Sequence, residues 1–214
     1  MTPLRRAGVA LLAIVTAAAL AAGWLAPNPP AHMFSDLAYA PPTRVHVVDE
    51  AGEWRAPFVY RWRVISQLER RFEENRVEPV RVRWFSNGHL VGTPEDAGAP
   101  LLLLGTDGFG RDIFSRLVHG ARASLALALA AAFGAILIGL IVGGAAGYAG
   151  GWLDDLLSRL SELVLVLPVT YVVLSLRAVL PLELPDRDVF LLMAAIFALV
   201  GWPFVARGVR ETNW

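Results

Sequence analysis

Apolar positions along this chain fall into four long blocks, at residues 7–26, 123–148, 160–182 and 189–206. A helix needs about 20 mostly apolar residues to cross a bilayer. Each block meets or nearly meets that length, so the pattern predicts four membrane-spanning helices. The first block carries no charge. The third is interrupted by Glu162 and Arg177 and contains Pro168, which would kink its helix. Arg177 lies roughly 22 Å beyond Glu162 at 1.5 Å per residue, near the outer face, where its side chain would snorkel to the interface.

Between the first two blocks the pattern changes. Pro27, Pro29, Pro30, Pro41 and Pro42 give a stiff, extended exit from the first span. Residues 44–48 and 54–63 carry the aromatic and β-branched residues of strands. Residues 62–76 read as a helix with Ile65, Leu68 and Phe72 on one face. Arg70 and Glu74, and Gln67 and Arg71, stand at helical pair spacing. Residues 80–84 alternate, and Asn87-Gly88 signals a hairpin turn. The expected division is a helix over 1–26, a small mixed α/β insertion over 27–104, and a helical region over 105–214.

Charge sets the orientation. Arg5 and Arg6 precede the first span, and Arg207 and Arg210 follow the fourth. Basic residues favour the cytoplasmic side, and four crossings place both ends there. The 27–122 stretch, with 12 Arg, then lies outside. Loops longer than about 60 residues escape the charge rule, so this is no conflict. Arg5-Arg6 and the Ala-rich end of the first block also describe a signal peptide. The apolar run exceeds a typical signal core, which favours a retained helix.

Composition agrees: 56% of residues are hydrophobic and 18% charged, with a mean hydropathy of +0.51, too apolar for an ordinary soluble domain. Net charge is zero, and nothing suggests a nucleic-acid partner. All 19 basic residues are Arg, so no P-loop or Schiff-base lysine exists. Cysteine is absent, and the four His are scattered without metal spacing. An enzyme is not expected.

The densest polar pattern stands at the start of the second span. In Gly105-Thr106-Asp107-Gly108 the glycines permit positive φ and Asp can bond its own backbone. Asp112 suits the N-cap of a helix starting at Ile113. On that helix Ile113, Phe114, Leu117, Val118 and Ala121 share one side, with Ser115, Arg116, His119 and Arg122 on the other. This suits an amphipathic helix lying at the interface before the chain turns inward. Arg111, Arg116 and Arg122 are placed to pair with Asp107 and Asp112.

Further on, Gly139, Gly143 and Gly147 are spaced by four, as close helix packing requires. Gly150-Gly151 make a turn after the second span. Asp155 with Arg159, and Arg159 with Glu162, stand at pairing distance on the helix that follows.

Three blocks resemble the permease subunits of binding-protein-dependent ABC importers, in the oligopeptide/dipeptide/nickel branch. The first is Gly105, Thr106, Asp107, Gly110, Arg111, Asp112, Ser115, Arg116, Gly120, Arg122, Ser124 and Leu125. The second is Gly147, Tyr148, Gly150, Gly151 and Asp154, with Arg159, Glu162 and Pro168 beyond. The third is Trp202-Pro203 followed by Ala206, Arg207, Val209 and Arg210. The resemblance implies an all-α polytopic fold in the bacterial inner membrane and import of peptides or a similar small solute. It implies a second permease subunit, an external solute-binding protein and cytoplasmic ATPases as partners, with ATP used by those partners and no cofactor or metal on this chain. The first block would position the outer gate. In that family a coupling loop that docks on the ATPase follows the fourth span, so residues 1–214 are expected to be an N-terminal portion. The alternative is a membrane-anchored interaction protein whose spans only anchor it.

Overall fold

The computed structural model describes residues 2–66, 68–86, 88–166, 168–179 and 184–211; within these, the side chains of Glu95, Val169, Val173, Leu176, Arg177, Val179 and Glu211 lie outside the description. Helix α1 spans Pro3–Leu20, with Pro at its first position, where the missing N–H costs nothing. A single turn, α2, covers Ala22–Leu25. Strands β1 (Val45–Val48), β2 (Trp54–Ser66) and β3 (Arg71–Arg81) form an antiparallel sheet in that order. Strands β4 (Arg83–Ser86) and β5 (His89–Gly92) form a separate hairpin with Ser86 opposite His89; Asn87 of the expected Asn87-Gly88 turn lies outside the described residues. Helices α3 (Ile113–Ala149), α4 (Gly151–Val166), α5 (Val169–Val179) and α6 (Asp186–Glu211) complete the chain. It divides into two compact units, Met1–Ala123 and Ser124–Trp214, the division falling within α3.

The helix expected at 62–76 is instead two strands. Val64 pairs with Phe72, Trp62 with Glu74 and Phe58 with Arg81. Its supposed apolar face is divided: Leu68 is 98% exposed at the tip, and Ile65 is also exposed. The expected Arg70–Glu74 pair fails with it, and Gln67 of the other expected pair lies outside the described residues. Glu74 meets His46 at 3.1 Å, and the Arg70 guanidinium lies 3.9 Å from the centre of the Tyr39 ring. Among the described residues, 27–104 contains strands and two 3-10 turns but no α-helix, so the insertion is β rather than α/β. Its core is two clusters. Val59, Val82, Ala99 and Leu101 make one; Leu37, Ala40 and Leu102, flanked by Phe34, Trp62 and Phe72, make the other.

Among the described residues, three helices are long and apolar enough to cross a membrane: Pro3–Leu20, Ile113–Ala149 and Asp186–Arg210. The third expected span is two helices, α4 and α5, of 16 and 11 residues, separated at Pro168. The expected position of Arg177 falls on a side chain outside the described residues. Helix α3 runs unbroken for 37 residues, about 55 Å at 1.5 Å per residue. The stretch 113–122 forms the first turns of this helix.

Candidate functional site

The 105–112 loop is a closed turn built by its own side chains. Gly105 and Gly110 take φ of 78° and 73°, the left-handed region that glycine enters without penalty. Their missing side chains also matter. A Cβ on Gly110 would strike the Phe34 carbonyl, and one on Gly105 the Ala40 carbonyl. Thr106 and Asp112 bridge across the base of the loop. Asp107 Oδ1 accepts the N–H groups of Phe109 and Arg111 at 2.9 and 3.0 Å, and its Oδ2 accepts Arg111 Nε at 2.8 Å. Partial burial pushes the Asp107 carboxyl up. The two backbone N–H bonds and the Arg111 side chain outweigh this and hold it below its usual value of 3.8.

The loop then grips the segment that leaves the first helix. Thr106 Oγ1 accepts the Ala40 N–H at 2.8 Å and donates to the Leu37 carbonyl. Phe34 N–H donates to the Gly110 carbonyl, and Tyr39 N–H to that of Asp107. Tyr39 lies between the loop and the β2–β3 tip, with Gly108 against its hydroxyl and Arg70 over its ring.

Beneath the loop lies a buried polar knot. Asp112 and Ser115 are fully buried. Asp112 Oδ1 caps α3 by accepting the Phe114 N–H at 3.1 Å, as its N-cap position requires. Its Oδ2 accepts Ser115 Oγ at 2.5 Å and Asn28 Nδ2 at 2.9 Å. Asn28 Nδ2 also donates to the Leu101 carbonyl at 2.8 Å, and its N–H to Ser115 Oγ. One asparagine thus joins three distant segments. Sequence reading missed Asn28 and Tyr39; the Asn-Pro pair at 28–29 is the only local signal, and it marks no more than a turn.

The cation assignments need correction. Arg111 pairs with Asp107 at 2.8 Å and Arg116 approaches it at 3.8 Å. Asp112 has no cationic partner among the described residues; its burial is met by neutral donors. Arg122 is exposed and makes no ion pair among them, and Gly120 and Ser124 are exposed. The helix faces differ too. Ser115 joins Val118 on the buried side with Phe114, against Ala22 and Ala26, while Ile113 and Leu117 are exposed.

In the second unit α3 packs on α6 through small residues. A Cβ on Gly139 would lie 2.5 Å from Val205 Cβ, and one on Gly143 2.6 Å from the Ala206 carbonyl. Gly147 is exposed. Gly150 ends α3 in a left-handed conformation, φ 57°, its N–H on the Ala146 carbonyl. Gly151 follows at φ 59°. The expected pairs of Arg159 with Asp155 and Glu162 do not form among the described residues. The ion pair is instead long-range: Arg210 reaches Asp154 at 2.5 Å and Ser158 Oγ at 2.8 Å. Glu162, Arg207 and Arg210 line a cavity of about 290 Å³ beside it. A basic residue at the end of α6 was visible in the sequence; the carboxylate it meets, 56 residues away, was not.

Together the two units describe a polytopic membrane protein with a β insertion after its first helix. No family model matches the chain. It is similar to the dipeptide transport system permease protein DppC of Alkalihalophilus pseudofirmus, 39% identical over 107 residues, which are 50% of this chain and 33% of that protein. It is 36% identical over 113 residues to the peptidoglycan transport system permease protein YejE of Agrobacterium fabrum, 52% of this chain and 29% of the relative. It is 38% identical over 106 residues to the oligopeptide transport system permease protein OppC of Bacillus subtilis, 50% and 33%. The matches cover about a third of the length of these relatives.

Proposed function

We propose that this chain is a transmembrane permease subunit forming part of the translocation path of an ATP-driven importer for peptides or a similar small solute. The observation that carries the reading is the similarity of about half the chain to permeases of dipeptide, oligopeptide and peptidoglycan transport systems. The closed loop at 105–112 and the knot at Asp112 support it. They fix the start of a long apolar helix, as the outer rim of a conduit requires. No covalent step falls to this chain. ATP hydrolysed by partner subunits would supply the energy, an external binding protein would deliver the solute, and a second permease subunit would complete the path. Both ends of the chain would face the cytoplasm of a bacterial inner membrane, with residues 27–104 outside.

The test is uptake of a labelled dipeptide by cells carrying the complete transport system, with and without this chain. Loss of uptake on deletion, restored by re-expression, is the expected result. Unchanged uptake on deletion, with the re-expressed chain recovered in the membrane fraction, would instead favour an anchored interaction protein.

A further inference from the structure

The insertion contains a cleft of about 630 Å³, lined by residues of the 27–37 segment, β2, the β4–β5 hairpin and the 92–100 loop. This is the size of small-molecule sites, about 300–1,000 Å³. We propose that it binds a short zwitterionic peptide, as an accessory site outside the membrane path; the choice of solute rests on the permease reading above.

The chemistry of the walls selects that ligand class. The cleft contains one fixed positive group, Arg61, and one fixed negative group, Asp36. Neither makes an ion pair among the described residues. Arg61 is nonetheless held in place: its Nη2 donates to the Ala97 carbonyl at 2.5 Å, and the backbone of Gly98 closes on it so tightly that a Cβ there would lie 3.1 Å from Cζ. A positioned guanidinium suits a carboxylate, which it meets through a planar fork of donors. A carboxylate without a cation suits an ammonium. A free peptide carries both groups on one small body. His32, Phe34, Trp62 and His89 also line the cleft and give aromatic surface, which accepts varied side chains without demanding one. The Trp62 Nε1 donor is buried without a hydrogen-bond partner. An indole N–H can only donate, so a peptide carbonyl reached by a small rotation of the ring would satisfy it.

The experiment is calorimetric titration of the full chain in lipid nanodiscs with trialanine, N-acetyl-trialanine and trialanine amide. Trialanine binds at millimolar concentration. Blocking either end weakens binding roughly tenfold, the scale of one charge-assisted contact. D36N weakens trialanine to the same degree and removes the effect of acetylation; R61Q does so for amidation, and R61K recovers part of the loss. Both side chains are exposed, so unfolding temperatures should not move. No heat at millimolar trialanine, or equal affinity for free and blocked peptides, overturns the site. Equal affinity for blocked peptides would point instead to an extended protein segment. If the cleft fails to bind while dipeptide uptake persists, only this site falls. If binding persists while deletion of the chain leaves uptake intact, the permease reading falls.

Discussion

The unit up to Ala123 and the unit from Ser124 onward are held together by different physics. In the first, side chains reach across 60 to 90 residues of sequence to bond one another, as Asn28 does to Asp112 and Thr106 to Ala40. In the second, Gly139 and Gly143 let the α3 backbone approach α6, and one long-range clamp, Asp154–Arg210, joins α4 to α6. The difference follows from the surroundings each suits. In water a turn must satisfy its own polar groups, and apolar burial drives the rest. In lipid, helices gain nothing by hiding apolar surface, so close packing of small residues and a few polar contacts must suffice.

Substitutions sharpen the contrast. The largest effect is expected from D112A. It strips the acceptor from three donors in a fully buried knot, and should cost about 3–5 kcal/mol in unfolding measured in detergent. D112N keeps one acceptor and should cost about half as much. A loss below about 1 kcal/mol for D112A would mean that the knot contributes little. Next is G143L. A leucine there must push the α6 backbone away, at about 2–3 kcal/mol, and should also reduce any crosslink between cysteines placed on α3 and α6. If G143L were neutral, the helix contact at this glycine would be refuted.

R210A should cost about 1 kcal/mol or less, because the pair is partly exposed. The double exchange D154R with R210D should recover more than half of what either single change loses, a readout that mere surface charge would not produce. The smallest effect concerns acid. Asp107 has a lowered folded pKa, so its contribution is complete above the usual carboxylate range and is lost as pH falls through the lowered value. Wild-type stability should therefore fall more steeply than that of D107N below about pH 4, with D107N the less stable at neutral pH. Parallel acid profiles would remove Asp107 from the loop's stabilisation.

Local signals were readable where the physics is local. The strand pairing on either side of 87–88, the N-cap at Asp112, the positive-φ glycines at 105 and 110 and the apolar lengths of α1, α3 and α6 all depend on neighbouring residues. The 62–76 segment misled because Ile65, Leu68 and Phe72 satisfy helical spacing, while Trp62, Val64, Phe72 and Glu74 satisfy that of a strand. Pairing of Val64 with Phe72, and the left-handed Arg70 laid on Tyr39, resolved the tie. Likewise Arg159 had two acids within helical reach, yet the carboxylate that pairs is Asp154, with Arg210.

From the order of residues alone came the apolar blocks, the β-rich character of much of the insertion, the shape of the 105–112 turn and the resemblance to peptide permeases. Each depends on periods and spacings no longer than a few turns of chain. The tertiary structure decided that 62–76 is a hairpin, that Asp112 is met by Asn28 and Ser115 rather than by arginine, and that Arg210 closes on α4. Those outcomes depend on which distant groups share a buried space, and a one-dimensional pattern carries no measure of that distance.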